Sequence, residues 1–566
     1  MMGRSTLLTI PLLIYLVFSQ SCAPFAAVAE RETVTIDLGA VVPPDPEVTR
    51  GEFANGVRYY IRTNRKPEKR AQLWLALNAG SVQEDEDQRG LAHFAEHMAF
   101  NGTEHFAKQE LIDYMESIGM RFGPEVNAFT GFDETVYILQ VPTDSIHMVE
   151  QGFQILEDWA HLVSFEGEEI DKERGVVVEE WRLGRGAQSR MFDKQLPILF
   201  KDSRYADRLP IGKKEIIETC TYETLRRYYR EWYRPDLMAV VAVGDFDADW
   251  ILSLMEKHFA AIPEREDPRP REVFPVPDHE EALFAIATDP EASHTRVGLY
   301  FKHELAPEVT QGDWRQLLIR DMYNQMLNGR LSELAQQADP PFLYGYSGKG
   351  RFVRSKEVYF LGAGVKEDGI ERGLEALLEE ATRVRRFGFT QSELDRAKEW
   401  LLRGFENSYK ERDKTESEAY VWDYIEHYLT GSFMMGTEKE YELSKRLVPG
   451  ITLEEVNSLA SRWITDHNRV VMVNAPEKEG VAIPSEEQLQ AVFTAVEEKE
   501  IRAYEDRITD EPLVDPVPEA TKIKGRKTYE DLGVTEWTLA NGVRVILKPT
   551  DFKNDEILFY AYSPGG

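Results

Sequence analysis

Apolar and polar residues alternate with a period of two in Val57–Thr63, Gln72–Ala79 and Thr135–Val141, which are rich in aromatic and β-branched side chains; the pattern predicts strands. Between and after them the apolar period lengthens to that of a helix. It predicts helices over Lys108–Ile118, Ser145–Val163 and Thr221–Trp232, and over two shorter runs around residues 90–100 and 168–182. The same alternation of element types returns further on. Val297–His303 and Val358–Val365 are predicted strands, and Asp313–Ala335, Gly369–Arg386 and Gln391–Glu411 predicted amphipathic helices. Proline and charge fill residues 263–280, the expected linker. Within each unit strands are followed by helices with few βαβ alternations, so the expected class is α+β, each domain a mostly antiparallel sheet packed by helices. The expected domains are 48–262 and 281–475, followed by a charged, proline-containing connector over 476–530.

A repeat adds a third unit. Ala54-Asn55-Gly56-Val57-Arg58 returns as Ala540-Asn541-Gly542-Val543-Arg544, and each copy places a glycine 24 positions after its Asn-Gly, at Gly80 and Gly566. Each copy reads as two strands around a turn, the second at Ile557–Tyr562 in the later copy, so residues 531–566 are expected to restart a domain. An isolated pair of strands is marginal, and the expectation is a natural protein that continues into a C-terminal half.

The chain of 566 residues is too long for one core, and its formal net charge of −32 argues against a nucleic-acid partner. Near the start, Arg4 precedes the apolar run Leu7–Phe18, and Ala27-Val28-Ala29 forms a small-residue cleavage site, so residues 1–29 are expected to be a signal peptide and the protein periplasmic or extracellular. Ser19-Gln20-Ser21-Cys22 is a poor lipoprotein box, and membrane attachment is expected only if Cys22 is lipidated. With Cys22 removed or lipidated, Cys220 alone remains and no internal disulfide can form.

The chemistry concentrates in His93-Phe94-Ala95-Glu96-His97. On a helix, residues four apart lie one turn above the other, so both imidazoles can reach one metal ion, with Glu96 bordering the same face. This H-x-x-E-H order supplies two nitrogen ligands and a base for a hydrolytic zinc site, which still needs a carboxylate and an open position for water. A second helix follows, with Glu173 and Glu180 seven apart on one face and Val176-Val177-Val178 between them as a buried side. Glu180 is the candidate third ligand, and Glu173 the candidate group that orients a ligand histidine through its other ring nitrogen. On pattern alone, a solvated acidic face accounts for these glutamates equally well. His105, His147, His161, His294 and His303 are isolated and read as structural.

The H-x-x-E-H run followed by a helix with E-x-x-x-x-x-x-E resembles the inverted-zincin metallopeptidases of the pitrilysin, insulin-degrading enzyme and mitochondrial processing peptidase family, and within it the long exported bacterial zinc proteases. Phe100-Asn101-Gly102-Thr103, Asn127 to Tyr137, Leu209-Pro210-Ile211-Gly212 and Trp232 to Phe246 extend the likeness over most of the chain. The gap from His97 to Glu180 is longer than in the best-known members, so spacing alone favours Glu173 as the ligand; Glu180 is preferred because the paired-glutamate helix matches as a unit and a short loop insertion before it is cheap. The resemblance implies tandem homologous α+β domains, a single Zn2+ held by His93, His97 and Glu180, Glu96 as base and Glu173 assisting. It implies a sheet edge at Asn127, Ala128, Phe129 and Thr130 where a peptide or small unfolded protein adds as a strand, and a C-terminal half that closes on it. The expected activity is a zinc-dependent endopeptidase; the alternative is a non-catalytic scaffold or peptide-binding member, which has no use for Glu96.

Overall fold

A computed structural model describes residues 36–508 and 511–565, so the expected signal peptide, Cys22 and the cleavage site lie outside the described residues. Among the described residues no helix is long and apolar enough to cross a membrane. Two α+β domains make up most of the chain. The first is built on strands β1 (Thr49–Glu52), β2 (Arg58–Thr63), β3 (Arg70–Leu77), β4 (Val126–Thr130), β5 (Thr135–Pro142) and β6 (Met238–Gly244), in the spatial order β1-β2-β6-β3-β5-β4. The second uses β7 (Leu283–Asp289), β8 (Thr295–His303), β9 (Tyr344–Val353), β10 (Lys356–Val365) and β11 (Arg469–Pro476), in the order β7-β11-β8-β10-β9. Position by position these are one topology. Apart from the extra edge strand β1 of the first sheet, the strands correspond: β2 pairs in parallel with β6 as β7 does with β11, and the remaining pairs are antiparallel. Within these two domains the predicted strands and helices fall within a few residues of observed ones.

β3 shows why the first sheet is buried on both faces. Leu73, Leu75 and Leu77 enter a core with Phe153, Leu156 and Trp159 of the helix Ile146–His161. Trp74 and Ala76 point the other way, into a core closed by Tyr420, Val421, Tyr424 and Ile425. Those four belong to the helix Ser417–Thr430, contributed by the second domain. The loan is returned: the first domain's helix Ala187–Leu199 lies on the second sheet, where Leu196 and Leu199 pack with Ala285, Val470 and Met472. Gln195 in that helix donates to the carbonyls of Ala285 (2.7 Å) and Val473 (3.0 Å) across the junction. The buried residues of both exchanged helices recur at helical spacing, but that spacing does not tell which domain's sheet each helix covers.

Two expectations are corrected. The stretch 476–530 is not connector throughout: Glu486–Glu498 is a helix whose Leu489, Val492, Phe493 and Val496 are buried, and it packs on the helix Ile370–Phe387. Its apolar residues recur at three and four, a period that its flanking charge obscures. In the later repeat copy, β12 (Ile523–Tyr529), β13 (Val534–Leu539) and β14 (Arg544–Leu547) form an antiparallel sheet, and Gly56 and Gly542 share a positive φ at the two Asn-Gly turns. Ile557–Tyr562, expected as a strand, is irregular and exposed. Its counterpart β3 is held between β5 and β6, and no described strand flanks Ile557–Tyr562.

Candidate metal centre

His93 and His97 stand on the helix Leu91–Met98, whose other face buries Leu91, Phe94, Ala95 and Met98 in the first core. The facing helix, Gly167–Leu183, turns Ile170, Glu173, Val177 and Glu180 along one stripe, at the three- and four-residue steps of a helix. Of its three valines Val177 is buried and Val178 packs partly buried against the same core, whereas Val176, about 100° before Val177 on the other side from Val178, is exposed; the expectation of a buried side made by all three is corrected to Val177 and Val178. Arg174 fastens this helix by donating to the carbonyls of Ile217 and Cys220, each at 2.6 Å.

The two helices bring three donor groups to one point. His93 Nε2 and His97 Nε2 are 3.2 Å apart, and the Glu180 carboxylate reaches them at 3.7 and 3.2 Å respectively. One ligand atom from each of the three lies within 4.8 Å of the others, and no other group of this kind occurs among the described residues. His97 Nδ1 donates to Glu173 Oε1 at 2.9 Å, a carboxylate that is 7% exposed. That bond fixes the tautomer and leaves the Nε2 lone pair facing His93 and Glu180. Two imidazole nitrogens and a carboxylate oxygen aimed at one another need a cation between them, so the donor set fits a zinc ion in kind, number and mutual distance.

Burial and neighbouring charges set the protonation of these groups. Burial, together with the charge of His97 beside it, pushes His93 down to about 4. His97 is also penalised by burial, but its bonds to Glu173 and Glu180 outweigh that and raise it to about 9. Glu180 is lowered by the bond from His97. Glu96, 6% exposed, is pushed up to about 7 by burial, and the Thr130 hydroxyl, donating to its Oε2 at 2.6 Å, pulls it partly back.

Thr130 brings the candidate substrate edge to the base. β4 is the last strand of its sheet and pairs with β5 alone. The bonds from Gln140 N–H to Glu125 and from Gly131 N–H to Glu134 set the alternation of the ladder, so Ala128 and Thr130 turn their N–H and C=O outward. The Asn127 side chain folds over this edge and accepts from the Ala128 N–H at 3.0 Å. Phe129 points to the opposite face, stacked 5.7 Å from Trp422 of the second domain. Of the four expected edge residues, then, Ala128 and Thr130 offer backbone to a partner strand, Asn127 covers it and Phe129 anchors the strand from behind. The contact of Thr130 with Glu96 has no signature in sequence spacing; it arises from the pairing of β4 beside the motif helix. Of the histidines read as structural, His105 bonds to Asp158 (2.8 Å) and His303 to the Trp463 carbonyl (3.1 Å), while His161 Nε2 lies 3.8 Å from the Glu157 carboxylate without bonding to it.

The sequence and fold are similar to those of known proteins. Residues 60–197 match the family model for insulinase (peptidase family M16), and residues 219–401 match the model for the peptidase M16 inactive domain. The chain belongs to the M16 peptidase family. Among its M16 relatives is a zinc protease PQQL-like protein of Arabidopsis thaliana, 35% identical over 91% of this chain and 51% of that protein. The probable zinc protease PqqL of Escherichia coli (strain K12) is 31% identical over 94% of this chain and 57% of its own length. The crystal structure of the first half of the periplasmic protease PqqL from Escherichia coli superposes with a TM-score of 0.77 at 28% identity, covering 82% of this chain and all of that one. The chain thus spans about half the length of the curated relatives it matches. The two M16 matches part between residues 197 and 219, within the first domain, and His93, His97 and Glu180 all fall in the first match.

Proposed function

We propose that this chain is the catalytic half of an exported zinc endopeptidase. One observation carries the reading: two imidazoles and a carboxylate converge beside a buried glutamate on the same helix, next to a sheet edge with free backbone groups. His93, His97 and Glu180 hold one zinc ion. When bound, zinc supplies Lewis-acid polarisation of a water and of the scissile carbonyl. Glu96 is the general base. Held at Oε2 by Thr130, it keeps its other oxygen for the proton of the attacking water and then passes that proton to the leaving amine. The peptide adds to β4 in extended form, pairing with the outward groups of Ala128 and Thr130 after the Asn127 side chain swings off the edge. Glu173 keeps His97 in the ligating tautomer. Export rests on the apolar run and cleavage site of the N-terminal sequence, and accords with the periplasmic relative. The partner is a C-terminal half of the same protein, in keeping with relatives of about twice the span matched here. The test is metal content and peptide turnover of the wild type beside Glu96→Gln. The variant keeps zinc and loses about 10²–10⁴-fold in rate. Equal turnover in the two removes Glu96 from the mechanism, and zinc without hydrolysis in the wild type supports the scaffold reading instead.

A further inference from the structure

The motif helix is only eight residues long, Leu91–Met98, and it must hold two histidines at fixed rotation about its axis. The first turn of a helix leaves backbone N–H groups without intrahelical partners, and the residue before the helix usually caps them with a side-chain oxygen. Here that residue is Gly90, which has no side chain to offer. Its φ of +103° and its approach to Gly212, where a Cβ would lie 3.0 Å from the Gly212 Cα, exclude the ordinary capping residues. The role passes to Glu84, six residues upstream. Its Oε1 accepts from the N–H of Gly90 at 3.0 Å and from that of Ala92 at 2.8 Å, while the Leu91 N–H bonds to the Gln88 carbonyl at 2.7 Å.

Glu84 is wholly buried and is itself held from behind. Its own carbonyl accepts from Arg204 and from Arg208 (3.1 Å), and Arg204 also donates to the Val82 carbonyl at 2.6 Å. Ser81, at the start of the same short turn, donates to the Arg208 carbonyl at 2.6 Å. The turn Ser81–Glu84 is thus a fixed bracket, and the carboxyl of Glu84 is the one side chain among the described residues seen gripping the N–H groups of Gly90 and Ala92. The second of these belongs to the residue beside His93.

We infer that Glu84 is a positioning residue for the metal centre: by capping the motif helix from a rigid turn it sets the rotation at which His93 and His97 meet Glu180. The inference rests on the metal-site reading above. Burial pushes the carboxyl up to about 8, against the pull of the two N–H groups, so near neutral pH the acid is largely neutral and accepts through a carbonyl oxygen. Glutamine reproduces that oxygen at the same reach. Aspartate keeps the functional group but is one methylene too short to meet both N–H groups, and alanine removes the acceptor.

The experiment compares E84Q, E84D and E84A in the whole chain by zinc competition against a chromophoric chelator, by the absorption spectrum of the cobalt(II)-substituted protein, and by amide exchange at Gly90 and Ala92 in the metal-free protein. E84Q should bind zinc within about threefold of wild type with an unchanged cobalt spectrum. E84D and E84A should lose about 10–100-fold in zinc affinity, the range seen when a group supporting a metal ligand is removed, with altered cobalt bands. The two amides should exchange slowly in wild type and E84Q and fast in E84D. E84D binding zinc as tightly as wild type, or E84Q failing as badly as E84D, would overturn the assignment, and that pair decides the matter even if E84A does not fold. If the wild type itself takes no metal, the metal-site reading fails while amide exchange still reports whether Glu84 fixes the helix.

Discussion

Removing the Glu173 carboxylate should cost the metal site between one and two powers of ten in affinity. The His97 Nδ1–Glu173 Oε1 bond is 2.9 Å long and its acceptor is buried, so in Glu173→Ala the imidazole loses a charge-assisted bond with no water in place to restore it. A hydrogen bond to a charged group is worth about 1.5–3 kcal/mol, which at about 1.4 kcal/mol per decade is roughly 10–100-fold. Lys108 Nζ lies 4.0 Å from the other carboxylate oxygen but keeps its nearer partner Glu169 at 3.3 Å, so its loss of Glu173 adds little to the cost. Glu173→Gln keeps a neutral acceptor and should lose only part of this, about 5–15-fold. Glu180→Gln, which removes an anionic donor from the cluster itself, should cost more than either. The assay is competition for zinc between the metal-free protein and a chelator at fixed pH, with circular dichroism to confirm folding. A Glu173→Ala protein that binds within twofold of wild type would refute the argument. So would a larger loss at Glu173 than at Glu180, which would mean that the glutamate helix presents its carboxylates in the opposite roles.

Metal affinity should also depend on pH in a defined direction. His97 titrates at about 9 in the metal-free protein, so binding must expel its proton, and affinity should fall about tenfold for each pH unit below 9, read by the same competition between pH 6.5 and 9. Thr130→Val should keep zinc and lower kcat by about 10–100-fold, the value of a bond to a charged group, whereas Thr130→Ser should recover most of it; equal kcat in the valine and serine variants would detach Thr130 from Glu96. A C-terminal half supplied as a separate chain should raise peptide turnover by this chain without changing its zinc affinity, and full turnover by this chain as a monomer would refute the two-half account.

Much of the centre is visible in the amino-acid order because it is made of local geometry. Four-residue spacing of His93 and His97, and seven-residue spacing of Glu173 and Glu180, place side chains on single helical faces whatever the rest of the chain does. The parts that escape are those made by distant partners. Phe129 turns to Trp422, nearly three hundred positions later, and Thr130 meets Glu96 only because β4 pairs at the sheet edge above the motif helix. The helices Ala187–Leu199 and Ser417–Thr430 rest on sheets of the opposite domain, so their apolar faces match no neighbour in sequence. The valine run beside Glu173 reads as uniformly buried until the helical period turns Val176 outward and leaves Val177 and Val178 against the core.

The reciprocal helices carry a consequence for heredity as well as for folding. Trp74, Ala76, Val241 and Val243 of the first sheet share a core with Tyr420, Val421 and Tyr424, and Leu196 and Leu199 share one with Val470 and Met472. Neither domain is then a module that recombination can shuffle alone, since cutting between them strips a helix from each sheet and bares apolar surface on both. The pair must be copied, transferred and lost together, and the domain that carries His93 and His97 brings its companion with it as a structural obligation.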